Sequence, residues 1–225
     1  MKQSKWKEIL TSNQMFIVYI IVVLCIAISM KTPAFAEVST IITLARALLV
    51  TLCFAICEMV VIISGGIDVS FPAIACASLY IPICVFKEND IDNVVLAFVF
   101  AAAIGLVIGI INAVLISLLQ IPPLIATLGV SSITQGMLLT FFGTRQISRL
   151  PSTIAALNKV YLFTYQSKAG NNYSMTALIL VPIILYIVVY IVLKYTMLGR
   201  GIYAIGGDAN AARIAGFNVV RLQFI

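Results

Sequence analysis

Apolar runs long enough to cross a bilayer, parted by short polar, glycine-rich or proline-bearing stretches, set the pattern of this chain. Residues 9–30 carry no charge and follow Lys2, Lys5 and Lys7. A second run, about 41–63, has Arg46 near its start and Glu58 deep inside. A third, about 72–86, is short and follows Ser64-Gly65-Gly66-Ile67-Asp68-Val69-Ser70. Residues 93–144 hold no charge, too long a stretch for one helix, and Pro122-Pro123 divides it into about 94–119 and 123–142. A sixth run covers about 175–193. A membrane helix needs ~20 mostly apolar residues. The pattern therefore predicts an all-α, polytopic transmembrane bundle of about six spans, with 219–225 opening a seventh. Residues 1–225 read as one transmembrane domain, incomplete at its C-terminus.

Composition narrows the chemistry. Of 225 residues, 62% are apolar and 10% charged, against ~45–50% and ~25% in ordinary soluble domains. That excludes a soluble globular domain, a disordered chain and a nucleic-acid binder; a net charge of +6 rests on too few charges for a basic groove. There is no histidine, which removes His-based acid–base catalysis and the common zinc sites. The five cysteines lie in apolar stretches without a CxxC and read as small packing residues. No GxxxxGK[ST] phosphate loop occurs. Neither a metal nor a cofactor is predicted. Ala34-Phe35-Ala36 resembles a signal-peptide cleavage site, but the preceding run is long and Lys31 intervenes, so the first span is read as retained.

Two further patterns bear on packing and orientation. Ala97, Ala101, Gly105, Gly109, Ala113 and Ser117 recur every four residues on the fourth span, with Asn112 beside them. Small residues so spaced let helices approach closely in lipid. Lys2, Lys5 and Lys7 favour a cytoplasmic N-terminus. Alternation then gives the inner side Lys2, Lys5, Lys7, Lys194, Arg200, Arg213 and Arg221, and the outer side Lys31, Lys87, Arg145, Arg149, Lys159 and Lys168, nearly a tie.

Two polar segments carry candidate mechanism. Residues 64–70 would break a helix, since glycine costs ~1 kcal/mol per helical position. They read either as a broken helix within the membrane, tolerated where protein or a water-filled cavity surrounds it, or as an ordinary turn. Asp68 could cap the next helix or hold the break together. In 198–218, Asp208 is a good N-cap, 209–215 are mostly helix formers, and Gly216 suits a C-terminal position with positive φ. The predicted helix of about seven residues, roughly 10 Å long, is too short and too polar to span. It either docks on a partner or packs on its own chain. Asp90 and Asp92 read as a solvated loop.

GGIDVSFP, PPLIATLGVSSITQG and LGRGIYAIGGDANAARIAGF occur in that order. The sequence thereby resembles the permease subunits of ribose-type ABC sugar importers, within the branched-chain amino acid/ribose permease superfamily, truncated at the C-terminus. The resemblance implies a plasma-membrane dimer with a second permease copy, a solute-binding protein docking outside and a separate ABC ATPase docking inside. It assigns ATPase coupling to the segment 199–217, on Gly199, Arg200, Gly206, Gly207, Asp208, Ala211, Ala212, Arg213 and Gly216. Bulky residues at Gly206 and Gly207 are expected to uncouple ATP hydrolysis from transport. Candidate residues of the substrate path are Gly65, Gly66, Asp68, Ser70, Glu58, Asn112, Thr127 and Gln135. Pro72, Glu58, Asp208 and Gln135 depart from the family pattern. Arg46 is expected to snorkel. An ion-coupled secondary transporter and a non-functional fragment stay open as other readings.

Overall fold

A computed structural model describes residues 12–143, 147, 150–167 and 170–224. Lys2, Lys5, Lys7, residues 9–11, Arg145, Arg149, Lys168 and Ile225 lie outside the described residues. The elements are α1 (Asn13–Lys31), α2 (Val38–Ile63), α3 (Phe71–Glu88), α4 (Val94–Ala113), α5 (Pro123–Phe142), α6 (Ser152–Leu157), β1 (Tyr161–Gln166), β2 (Asn172–Thr176), α7 (Leu180–Tyr195), α8 (Met197–Gly207), α9 (Ala209–Ile214) and α10 (Val219–Phe224). Among the described residues, Val38–Ile63, Phe71–Glu88, Val94–Leu118, Pro123–Phe142 and Ala177–Tyr195 are long and apolar enough to cross a membrane. The apolar part of α1, Met15–Lys31, is shorter. Large apolar side chains such as Val95, Leu106 and Ile133 are exposed on these helices, a surface that lipid solvates and water would not.

Contacts divide the chain into two compact units. The first joins Met1–Ala47 to Leu162–Met175. Here β1 and β2 form a hairpin, an element that the helical pattern did not predict. Aromatic and β-branched residues such as Tyr161, Phe163, Thr164 and Tyr173 favour it. Consequently the sixth helical run does not begin at 175: Met175 lies in β2, and the helix follows a 3-10 turn at Ala177–Ile179. Arg46 donates from Nη1 to the Ser174 carbonyl at 3.0 Å. Its guanidinium thereby finds a backbone acceptor on the hairpin. The Ser167 hydroxyl donates to Glu37 at 2.8 Å.

The second unit, Leu48–Tyr161 with Thr176–Ile225, holds the candidate site. There α3 packs on α4 and α5, burying Ala73, Ala77, Ile83, Phe86, Ala97, Ala126 and Val130. In lipid such contacts gain from close packing rather than from expelled water. The small-residue stripe of α4 serves this only in part. A Cβ built on Gly105 would stand 3.4 Å from Ser78 Oγ, an ordinary contact distance, whereas one on Gly109 would meet nothing within 4 Å. Beyond Ala113 the helix widens into a π turn, Val114–Leu118, and Gln120 adopts φ +54° before Pro122 and Pro123 start α5.

The Asp90–Asp92 loop is more than a solvated linker. Asp92 accepts hydrogen bonds from the Ser152 hydroxyl and from the Thr153 hydroxyl and N–H, and so caps α6. The Ser152 hydroxyl first, then Thr153, holds this carboxyl below the usual aspartate range.

Candidate functional site at a broken helix

The break begins where α2 runs out at Ile63. Ser64, Gly65 and Gly66 close the last turn by donating to Val60, Ile62 and Val61 carbonyls at 3.1, 3.0 and 3.0 Å. Gly65 takes φ +86°, which an L side chain adopts only under strain. Residues 66–70 lie outside regular helix, and α3 starts at Phe71 with Pro72 in its first turn. Proline is tolerated there because that N–H has no helical partner.

Side chains from α2 and α5 accept backbone N–H groups of this segment, and one from α4 binds its Ser70 hydroxyl. A Glu58 carboxyl oxygen accepts the Asp68 N–H at 3.2 Å. Asp68 Oδ1 accepts both the Ser70 N–H, at 2.7 Å, and the Ser70 hydroxyl, at 2.6 Å. Asn112 Nδ2 donates to Ser70 Oγ at 2.7 Å. Because the single hydroxyl proton of Ser70 is spent on Asp68, Asn112 must present its N–H₂ there. Thr127 Oγ1 accepts the Val69 N–H at 3.3 Å. Ser70, Asn112 and Thr127 are buried, Ser70 completely. Asn112 Oδ1 is buried and accepts no hydrogen bond among the described residues. An unpaired buried acceptor costs roughly 1–3 kcal/mol.

A cavity of about 410 Å³ opens beside this network. Ser64, Asp68, Asn112, Thr127 and Gln223 give it polar groups, Gly109 leaves room on α4, and Val188, Val192 and Ile202 supply apolar wall. The residues expected on the substrate path are therefore brought together at Gly65, Gly66, Asp68, Ser70, Glu58, Asn112 and Thr127. Gln135 is not: it is exposed and donates to Ser131 Oγ on its own helix at 3.2 Å.

Two helices, α8 and α9, carry the segment expected to couple. Thr196 caps α8, its hydroxyl accepting the Gly199 N–H at 3.1 Å. Asp208 caps α9, accepting the Asn210 and Ala211 N–H groups at 2.7 and 3.2 Å. The C-terminus of α9 is a Schellman closure: Phe217 N–H bonds Ala212 O at 3.0 Å and Gly216 N–H bonds Arg213 O at 3.1 Å, with Gly216 at φ +91°. The stretch Met197–Gly207, not predicted as helix, is α8 and includes both Gly206 and Gly207. Ile205, Ala212 and Val219 form a small buried core, with Phe217 and Leu222 against it. Ala211 and Arg213 face outward, and so does Ile214, at 89% exposure.

The glycines of α8 have distinct surroundings. A Cβ on Gly199 would stand 2.3 Å from the Leu193 carbonyl oxygen, where α8 folds back on the end of α7. On Gly201 it would meet Leu222 Cδ1 at 2.6 Å, and on Gly206 the Ile63 carbonyl oxygen at 1.8 Å. Gly207 has nothing within 4 Å. Sequence reading missed Gly201, Ile214 and the seat of Gly206 on the break. The lone large apolar residue in a short helix of alanines and polar residues was a signal that could have found Ile214.

Comparison with known proteins follows the motifs. The chain is 28% identical over 164 residues to the galactose/methyl galactoside import permease of Salmonella typhimurium, covering 70% of this chain and 47% of that protein. It is 30% identical over 165 residues to the fructose import permease of Rhizobium meliloti, covering 73% and 45%. It is 29% identical over 201 residues to the ribose import permease of Bacillus subtilis, covering 89% and 59%. The chain thus spans about half the length of the curated relatives it matches. No solved structure matches it. A family model described as the permease component of the branched-chain amino acid transport system matches residues 9–225, and with its apolar helices and its three ordered motifs the chain belongs to that family of membrane permeases.

Proposed function

We propose that the chain is a membrane-spanning permease subunit of an ATP-binding-cassette importer that moves a sugar or sugar-like solute across the plasma membrane. In this reading residues 1–225 are part of one permease domain, the N-terminus is cytoplasmic, and a second permease copy completes the pathway. A solute-binding protein delivers the solute from outside, and a separate ATPase hydrolyses ATP inside. The similarity to galactose, fructose and ribose import permeases supports the solute class.

One observation carries the coupling role: a short helix capped at both ends that holds Ile214 89% exposed beside Arg213. Such a helix would be marginal alone, but Asp208, the Schellman turn and the core around Ala212 hold it rigid. Its inner face is satisfied by its own chain. Its outer face carries an isoleucine that gains from burial in a partner's groove. The second expectation for this segment, a helix packed only on its own chain, leaves that isoleucine without a role.

Ile214→Asp tests the assignment. The altered permease is expected to reach the membrane in normal amount and to lose about tenfold or more of its retained ATPase, since burying a side chain of this size is worth ~1.5–3 kcal/mol. Co-purification of ATPase with the permease measures this. Retention equal to the parent would sink the docking role of α9.

A further inference from the structure

We infer that Gly206 is the point at which movement of the coupling segment is handed to the broken helix, through direct backbone contact with the Ile63–Gly65 turn. This rests on the coupling role proposed for α9. Real Cβ atoms essentially never approach another atom under 3.0 Å, yet one added to Gly206 would lie 1.8 Å from the Ile63 carbonyl oxygen and 2.9 Å from its carbon. The facing residue on the break is itself a glycine. A Cβ on Gly65 would stand 3.4 Å from Gly206 Cα. Two polypeptide backbones therefore meet with no side chain between them.

Both sides of this contact are tied to the elements that matter. On one side only Gly207 separates Gly206 from Asp208, whose carboxylate caps α9 and whose N–H donates to Ala204 O at 3.1 Å. On the other side, the turn leads within five residues to Asp68 and Ser70, and through Ser70 Oγ to Asn112 on α4. The Ser64 hydroxyl donates to the Val61 carbonyl at 2.7 Å, stiffening the turn from within. Backbones in contact leave no flexible side chain to absorb a push, and packed interfaces of this kind switch between arrangements rather than stretch. A displacement of α9 then becomes a displacement of the break beside the cavity. Asn112 Oδ1, buried without a donor, marks the network as one that a different position of the break could satisfy better.

Gly136 on α5 supplies an internal control, because it is open in space and lies outside the coupling segment and the break. The permease carrying Gly206→Ala, Gly65→Ala or Gly136→Ala is co-expressed with its ATPase and placed in lipid nanodiscs and proteoliposomes. Retained ATPase, ATP hydrolysis and import of labelled ribose, galactose and fructose are measured. Gly206→Ala and Gly65→Ala are expected to keep the ATPase bound while solute imported per ATP falls about tenfold or more, the effect of ~1.4 kcal/mol on the coupled step. Gly136→Ala is expected to match the parent. Gly65→Ala keeps the test decisive if Gly206→Ala fails to assemble, because its methyl meets Gly206 Cα at an ordinary 3.4 Å while the strain at φ +86° shifts the turn on which Gly206 rests. The inference is overturned if either assembled variant imports at the parental ratio, or if Gly136→Ala uncouples as strongly. A parent that imports these sugars without ATP, or retains no ATPase, overturns the underlying reading as well.

Discussion

Two glycine pairs followed closely by an aspartate, Gly65-Gly66-Ile67-Asp68 and Gly206-Gly207-Asp208, fold in opposite ways. At the first pair the helix stops, Gly65 turns to φ +86°, and Asp68 holds Ser70. At the second pair both glycines stay helical at the end of α8, and Asp208 starts α9 by capping two N–H groups. Side chains far away in sequence satisfy the first site: Asn112 lies 42 residues from Ser70, and Thr127 lies 58 residues from Val69. Within α9 the second site's backbone is closed locally. Similar residues therefore make a break that depends on its neighbours and a knob that carries its own closures. Where the two meet, at Gly65 and Gly206, absence of a side chain is the property used on both sides.

The comparison breaks most readily at the first site. Asp68→Ala strips the acceptor from the completely buried Ser70 N–H and hydroxyl. The expected loss is about 3 kcal/mol, from two buried donors left unpaired. Thermal unfolding of the purified permease in detergent would register it, and an unchanged transition would mean that the break does not need this tie. The second site should be more forgiving. Asp208→Ala is expected to cost about 1 kcal/mol, the usual effect of losing an N-cap, and Gly216→Ala about as much for a left-handed φ. Hydrogen exchange over α9 should rise in both variants with exchange over 64–70 unchanged. Spread of the effect to 64–70 would show that the knob is not locally closed.

The smallest effect is expected at Asp92, which caps α6 from a distant loop. Its folded pKa lies below its unfolded value, chiefly because of the Ser152 hydroxyl. The stabilisation is therefore fully present above the unfolded aspartate pKa. It is lost as pH falls through the folded value. Exchange protection of α6 should drop on acidification in the parent, and Asp92→Asn should flatten that dependence. A parent whose α6 protection ignores pH below the ordinary aspartate range would refute this assignment.

Much of the site was legible before folding, for a physical reason. Hydropathy marked the spans because each lipid-facing position must be apolar whatever its neighbours. Asp208 and Gly216 marked the ends of α9 because capping acts within four residues. Asp68 and Ser70 were recognisable as break residues on the same local grounds. Gln135 looked equivalent to Thr127 by polarity alone, yet it lies away from the network, since which face of α5 turns inward is a matter of packing. The hairpin was missed although Asn172-Tyr173-Ser174-Met175-Thr176 alternates polar and apolar residues, because β2 runs into the apolar helix with no charge between them.

The amino-acid sequence by itself determined a membrane-spanning helical chain, the positions of its non-helical segment at 64–70 and of its short capped helix, and its permease family. Those properties depend on hydropathy, backbone propensity and ordered motifs, which act over a few residues or along one strand of text. Only the tertiary structure decided that Gly206 seats on the Ile63 carbonyl, that Asn112 reaches Ser70, and that Arg46 finds the Ser174 carbonyl 128 residues away. Those contacts depend on the rotation and depth of packed helices, which one helix's residues cannot set alone.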